Sequence, residues 1–312
     1  MKLAFNMMEC GLGNNGGTRT ILLCQKTLEE LGHVCDVIAR NDSFTWFKHK
    51  PAVSYVPSYM DAIIATACTT VDSTYRSNAR VKAWYIRAHE DWTYSNRQLQ
   101  ACYNKGLMNI VNSNGLKQVL AAWGADSHVI YQGIDFDWWE DRKLRKENVI
   151  RIGCLCTKQS RKRWKDFVKL YEILGDKGYE YVSVGNAKPA ENFLARSWVN
   201  VDHDELCDAY SSCHIWFAPT ESEGLHNVPM EANLCGCLVV CGDEPLNGMI
   251  YDYAFPGNTA MVYNRKDIDH AAELIRNPNW ELVDKMQKCI RERIGTRQTN
   301  MKKLIKFLGD KL

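Results

Sequence analysis

Glu223 and Glu231 are separated by seven residues, with Gly224, Asn227 and Pro229 between them. The apolar run His214-Ile215-Trp216-Phe217-Ala218 reads as a strand that ends at Pro219. A polar, Gly-containing loop follows, and a helix begins near Pro229, since proline is at home in a first helical turn. Glu223 then lies on the strand-to-helix loop and Glu231 in the first turn. In open α/β sheets ligands bind at such loops, outside the carboxyl ends of the strands. Free amides at the helix start favour an anionic group such as a phosphate. The plainer alternative is that Glu231 complements the helix dipole and Glu223 is a solvated loop carboxylate.

Other stretches offer chemistry of their own. The segment Lys158-Gln159-Ser160-Arg161-Lys162-Arg163-Trp164-Lys165 carries the densest positive charge in the chain. It could neutralise a departing diphosphate, track a nucleic-acid backbone with Trp164 as a stacking surface, or be a solvated loop. His89, with Glu90 and Asp91, follows the apolar run Lys82 to Arg87, which places an imidazole at a strand's carboxyl end. Such a group could handle a proton or orient a hydroxyl, or simply bond its own loop. Gly11, Gly13 and Gly16 spell a Gly-rich turn between the strand Lys2 to Met7 and a helix from Ile21 to Leu31. Asp36 follows at a distance suited to a ribose, a weak dinucleotide fingerprint that a bland turn would also produce.

The elements that must position these groups alternate regularly. After Gly32, Val34 to Ala39 forms a second strand. Further strands read at Asp61 to Thr66, Lys82 to Arg87, Asn109 to Ser113 and Ser127 to Tyr131, with a helix over Asn114 to Trp123. Phe136 to Asn148 is charged and lacks strand pattern, which marks an inter-domain linker. The rhythm resumes with strands Val149 to Cys156 and Tyr179 to Val184, helices Phe167 to Leu174 and Leu206 to Ser212, then the opening motif. Gly236 stops its helix before the strand Cys237 to Cys241. Asp267 to Ile275, Trp280 to Arg293 and Asn300 to Phe307 read as amphipathic helices, the last basic through Lys302, Lys303 and Lys306. The expected fold is α/β in two domains, residues 1–140 and 147–296, and the basic last helix, 297–312, could touch a membrane or dock on a neighbour.

Length and composition narrow the classes. A chain of 312 residues can build two cores, and 39 Lys+Arg against 37 Asp+Glu creates no global field for nucleic acid or membrane. No apolar stretch approaches the ~20 residues of a membrane span, and the first residues do not read as a signal peptide. Several of the 13 cysteines lie in apolar runs (Cys24, Cys154, Cys156, Cys237, Cys241), which suits a reduced, cytoplasmic protein. Cys154/Cys156 and Cys235/Cys237 lack zinc-site spacing, and Asp135/Asp137 and Asp202/Asp204 sit where a linker and a helix cap explain them. No metal and no cofactor is expected.

The pattern E-G-L-x-N-V-P-x-E-A-x-x-x-G-x-x-V-V, from Glu223 to Val240, resembles the E-x7-E region of family-4 nucleotide-sugar glycosyltransferases of GT-B fold. G-G-T-R, from Gly16, with the downstream L-G-H-V resembles the opening of the same family. The resemblance implies two Rossmann-like domains facing each other across a cleft, with helix 297–312 crossing back to the first. It also implies metal-independent, retaining transfer of a sugar from a nucleoside-diphosphate donor, uridine or guanosine being the expected nucleoside. It implies that Glu223 contacts the transferred sugar and Glu231 the ribose, with amides around Leu225, His226 and Asn227 meeting sugar and diphosphate. Gly16 and Gly17 would let the backbone approach donor phosphate and acceptor, and Lys162 would match the family's lysine. Thr157 stands where that family has an arginine, with Lys158 as the neighbouring cation able to take its place. Many members carry Gly or Pro in place of His226. The acceptor could be a glycan, a lipid-linked species or nucleic acid. A transferase acting on modified DNA bases, or a non-catalytic sugar-nucleotide or carbohydrate-binding protein of the same fold, remain the alternatives.

Overall fold

The computed structural model describes residues 1–244 and 246–312. The chain divides into two compact units, Met1–Ile134 with Gly295–Leu312, and Asp135–Ile294. In the first unit, strands β1 (Lys2–Asn6), β2 (Val34–Ile38), β3 (Ala62–Ala65), β4 (Val81–Ile86), β5 (Met108–Val111) and β6 (His128–Val129) form one parallel sheet in the order β2-β1-β3-β4-β5-β6. All of Ala62–Ala65 is buried, as expected of a parallel strand covered on both faces. One face packs Leu3, Phe5, Val37, Ile64 and Tyr85 against Ile21 and Leu28 of the Gly16–Glu30 helix and against Leu304 and Leu308 of the Arg297–Gly309 helix. Trp84, Ile86 and Val111 pack on the other face with Leu99, Tyr103, Leu116 and Leu120.

The second unit repeats the plan. Strands β7 (Ile150–Cys156), β8 (Tyr179–Gly185), β9 (Leu194–Val199), β10 (Ile215–Ala218), β12 (Leu238–Gly242) and β14 (Met261–Tyr263) make a parallel sheet ordered β14-β12-β10-β7-β8-β9. A separate parallel pair joins β11 (Ser222–Glu223) to β13 (Leu246–Asn247). The close approach of β7 and β10 requires Gly153: a Cβ there would lie 2.7 Å from the Trp216 ring and 2.8 Å from the Cys213 sulfur.

Several elements differ from the sequence reading for physical reasons. Phe136 to Asn148 is no free linker. Arg142 pairs with Asp204 and Asp208 at 2.7 Å each, and Arg145 binds Asp141 and the Cys213 and Cys235 carbonyls. The charges that suggested a solvated segment are thus used to fasten it to the second unit. β9 has no apolar run because it is an edge strand with an exposed middle. The helix expected from Pro229 begins at Asn227, with Pro229 inside the first turn, where a missing N–H has no helical partner to lose.

Candidate active site

In the second sheet β7 and β10 are neighbours, while the chain leaves β7 for β8 on one side and β10 for β12 on the other. The loops at their carboxyl ends therefore meet at the point where the strand order reverses. One loop supplies the short turn Ser160–Lys162, the other Glu223. The Lys162 ammonium contacts the Glu223 carboxylate, and Arg161 Nη1 lies 4.0 Å from the same Oε1. Backbone bonds fix both sides: Glu221 N–H donates to the Arg161 carbonyl at 2.9 Å, Arg161 Nη1 donates to the Ser222 carbonyl at 3.2 Å, and Gly248 N–H donates to the Glu223 carbonyl at 3.0 Å. Burial first, then the Arg161 charge, pull the Lys162 pKa down to about 7, while a carboxylate in contact, Glu223, favours the charged form.

Arg161 is a cation of this cluster that the sequence reading did not single out. Its signal was present, since it adjoins Lys162 in the basic loop, but spacing from β7 pointed to Thr157. Lys158 is exposed on the same loop, and Thr157 accepts a bond from Gln159 N–H. The next residue, Arg163, takes a left-handed conformation at φ 52° and is locked by Asp166 at 2.6 Å and by buried Glu244 at 2.7 Å, which also holds Arg265 at 2.8 Å. Trp164 packs on Phe167 with ring centroids 5.1 Å apart. Much of the loop's charge and its aromatic ring are engaged within the protein, which leaves a nucleic-acid track little to use.

The Asn227–Leu234 helix starts beside this pair. Leu225 is buried, and His226, at φ 51°, is the other left-handed residue of the site. The Tyr253 hydroxyl donates to the His226 carbonyl at 2.5 Å and pins that turn. The His226 ring is 5% exposed. Burial, then the charges of Lys162 and Arg161, hold its pKa well below the usual imidazole value. Glu231, on the helix, is buried, and Asn227 opens the helix half-buried. Strained backbone at non-glycine residues concentrates at functional sites. Arg163 and His226 put two such residues on the two loops that meet here.

The first unit carries a second constellation. Asn15 caps the Gly16–Glu30 helix by accepting from Thr18 N–H at 2.9 Å. Gly16 is exposed with open space around it, whereas a Cβ on Gly17 would lie 3.1 Å from Asn15 Oδ1 and 3.2 Å from Arg87 Nη1. Arg87, at the end of β4, donates to the Gly17 carbonyl at 2.6 Å and the Thr66 carbonyl at 3.2 Å. His89 is turned inward: its Nδ1 lies 3.0 Å from the Tyr103 hydroxyl, and its ring packs near Trp123. Glu90, the next residue, accepts from Cys68 N–H at 2.5 Å, and its charge opposes that of Arg87 at Cys10. Asp36 is paired with Lys50 at 2.8 Å, so the residue spaced for a ribose serves a strand-to-loop ion pair. Among the described residues no group of three or more His, Cys, Asp or Glu could hold a metal ion, and no helix is long and apolar enough to cross a membrane.

No family model and no curated protein matches the chain. Solved structures do. The complex of Anabaena HepE with UDP-glucose is 14% identical with a TM-score of 0.78, over 99% of this chain and 100% of that one. The chain has the GT-B fold. A sucrose-phosphate synthase from Thermosynechococcus elongatus is similar at 14% identity and a TM-score of 0.77, covering 99% of this chain and 98% of that one. A glycosyltransferase from Rickettsia africae matches at 15% identity and a TM-score of 0.74, over 99% of this chain and 98% of that one. At these identities the likeness is one of fold, with two parallel sheets each flanked by helices.

Proposed function

We propose that the protein is a glycosyltransferase that takes a sugar from a nucleoside-diphosphate donor bound on the second unit and passes it, with retention, to an acceptor hydroxyl. The observation that carries this reading is buried Lys162 paired with half-buried Glu223, with Arg161 beside them, at the carboxyl edge of the sheet and next to a helix start. A diphosphate brings negative charge that competes with Glu223 for both cations. Once it draws them away, the Glu223 carboxylate is released to accept hydrogen bonds from sugar hydroxyls. As the bond to the sugar breaks, charge grows on the departing diphosphate, and two preorganised cations stabilise that state more than the bound donor. Amides around Leu225 to Asn227 add to this at the helix start, and Glu231 accepts from the ribose. Lys158 supplies a further mobile cation to the same loop. We assign Gly16, Gly17, Arg87 and Glu90 to the acceptor-side surface of the first unit, and His89 to the support of that loop rather than to contact with the reacting atoms. The solved complex of HepE with UDP-glucose, which shares the fold, supports a donor of this class.

A thermal-shift screen of UDP-, GDP-, ADP- and TDP-sugars tests the reading, since a donor at a hundred times its dissociation constant adds about 2.7 kcal/mol. Two variants then separate the roles. Glu231→Ala should weaken the bare nucleotide and the donor alike, by roughly 2 kcal/mol. Glu223→Gln should bind the bare nucleotide at least as well as the wild type, since the carboxylate no longer competes for the two cations, and should cut turnover. A chain that responds to no donor, or a Glu223→Gln protein that transfers sugar at the wild-type rate, sinks the proposal.

A further inference from the structure

The His226 ring is the part of the site whose chemistry is unspent. Both of its nitrogens are sealed from water and, among the described residues, neither has a hydrogen-bond partner. A buried polar atom without a partner is uncommon and costly. The ring is also held in place at some expense, since a non-glycine residue at φ 51° is strained. The charges that bear on it are Lys162 and Arg161, the two cations that a diphosphate would draw from Glu223.

The protonation state decides which ligand group fits. Next to two cations and out of water the imidazole is neutral, so one nitrogen donates and the other accepts. A phosphate oxygen can only accept, and would leave the second nitrogen orphaned. A carboxylate fails for the same reason. A hydroxyl both gives and takes a hydrogen bond, and the donor's sugar is the part rich in them. Resting on the donor reading above, we infer that His226 reads hydroxyl groups of the transferred sugar, donating from one ring nitrogen and accepting at the other, and so sets which sugar the enzyme prefers. The residue is a specificity group, distinct from the amides of its loop, which any side chain at this position would supply.

The test compares binding of UDP, UDP-glucose and UDP-glucose analogues each lacking one hydroxyl, by calorimetry on the full chain. If screening selects another donor, its nucleotide and sugar replace these. His226→Phe keeps an aromatic ring and removes the nitrogens. His226→Asn keeps one donor and one acceptor and tolerates the left-handed backbone, and so guards against a mere folding defect. The preference of the wild type for the sugar donor over the bare nucleotide should fall about tenfold in His226→Phe, as expected for a lost buried hydrogen bond and its orphaned partner, with bare-nucleotide affinity unchanged. His226→Asn should recover part of that preference. One deoxy analogue should bind the wild type about tenfold more weakly than the parent donor, yet bind His226→Phe as well as the parent does. An unchanged preference in a folded His226→Phe protein overturns the inference while leaving the donor site intact. A wild type that binds no sugar nucleotide overturns the donor reading, and the inference with it.

Discussion

At the carboxyl edge of the second sheet a buried lysine meets a glutamate brought by the neighbouring loop; at the corresponding edge of the first sheet a half-buried arginine meets the carbonyls of Gly17 and Thr66. Both cations sit at the ends of parallel strands and both are short of water, but their partners differ in kind. A carboxylate is an exchangeable partner, because an incoming anion can take its place and the glutamate can turn to other work. Backbone carbonyls cannot turn away, so Arg87 is a fixed post that sets the position of the Gly16–Glu30 helix start. The comparison separates a cation stored for a ligand from a cation built into the fold.

The largest effect that would sharpen this contrast is on turnover. Lys162→Met should lower it by roughly a hundred- to a thousandfold, the usual loss when one preorganised charge is taken from a transition state. Stability should stay within about 1 kcal/mol, because removing a buried ammonium relieves its desolvation, and Arg161 remains 4.0 Å from Glu223. Initial rates and urea unfolding on the same variant check both halves. A raised Michaelis constant with untouched turnover would make Lys162 a tether only.

Arg87→Met should behave in the opposite sense. It strands the Gly17 and Thr66 carbonyls, which now accept at 2.6 Å and 3.2 Å, and should destabilise the protein by about 3 kcal/mol. A urea midpoint equal to that of the wild type would break the distinction drawn here, since Arg87 would then be as exchangeable as Lys162.

The same contrast explains what was legible in the sequence. The alternation of strands and helices was readable because buried parallel strands such as Ala62–Ala65 and Ile215–Ala218 are uninterrupted apolar runs. The Glu223 and Glu231 loop was readable because Pro229 and Gly236 punctuate its helix. Arg87 was invisible as a site residue, because its partners are main-chain carbonyls that leave no mark on residue type. Arg161 was obscured because charge density identifies a loop and not which of its cations turns inward. His89 drew attention by its type and its place after a strand, while the fold buries it beside Tyr103. The short β11–β13 pair was beyond reach, since strands of two residues carry no period.

The smallest effect lies in the pH dependence of stability, and it tests whether Glu223 keeps Lys162 charged in the free protein. Burial and Arg161 pull the lysine to about 7, against 10.5 for an unfolded chain. Below 7 folded and unfolded chains both hold the proton, so the lysine contributes no slope there. Between the two values the unfolded chain binds more protons, and stability rises with pH through that window. In the wild type the Glu223 carboxylate raises the folded value and flattens this rise. Glu223→Gln removes the carboxylate, so its stability should climb relative to the wild type by about 1 kcal/mol over the first pH unit above neutrality. The other titrating groups are common to both proteins and cancel in the difference. Parallel urea titrations of wild type and Glu223→Gln at neutral and mildly alkaline pH measure it. Curves that stay a constant distance apart would mean that the carboxylate does not set the charge of Lys162, and the exchangeable pair would lose its basis.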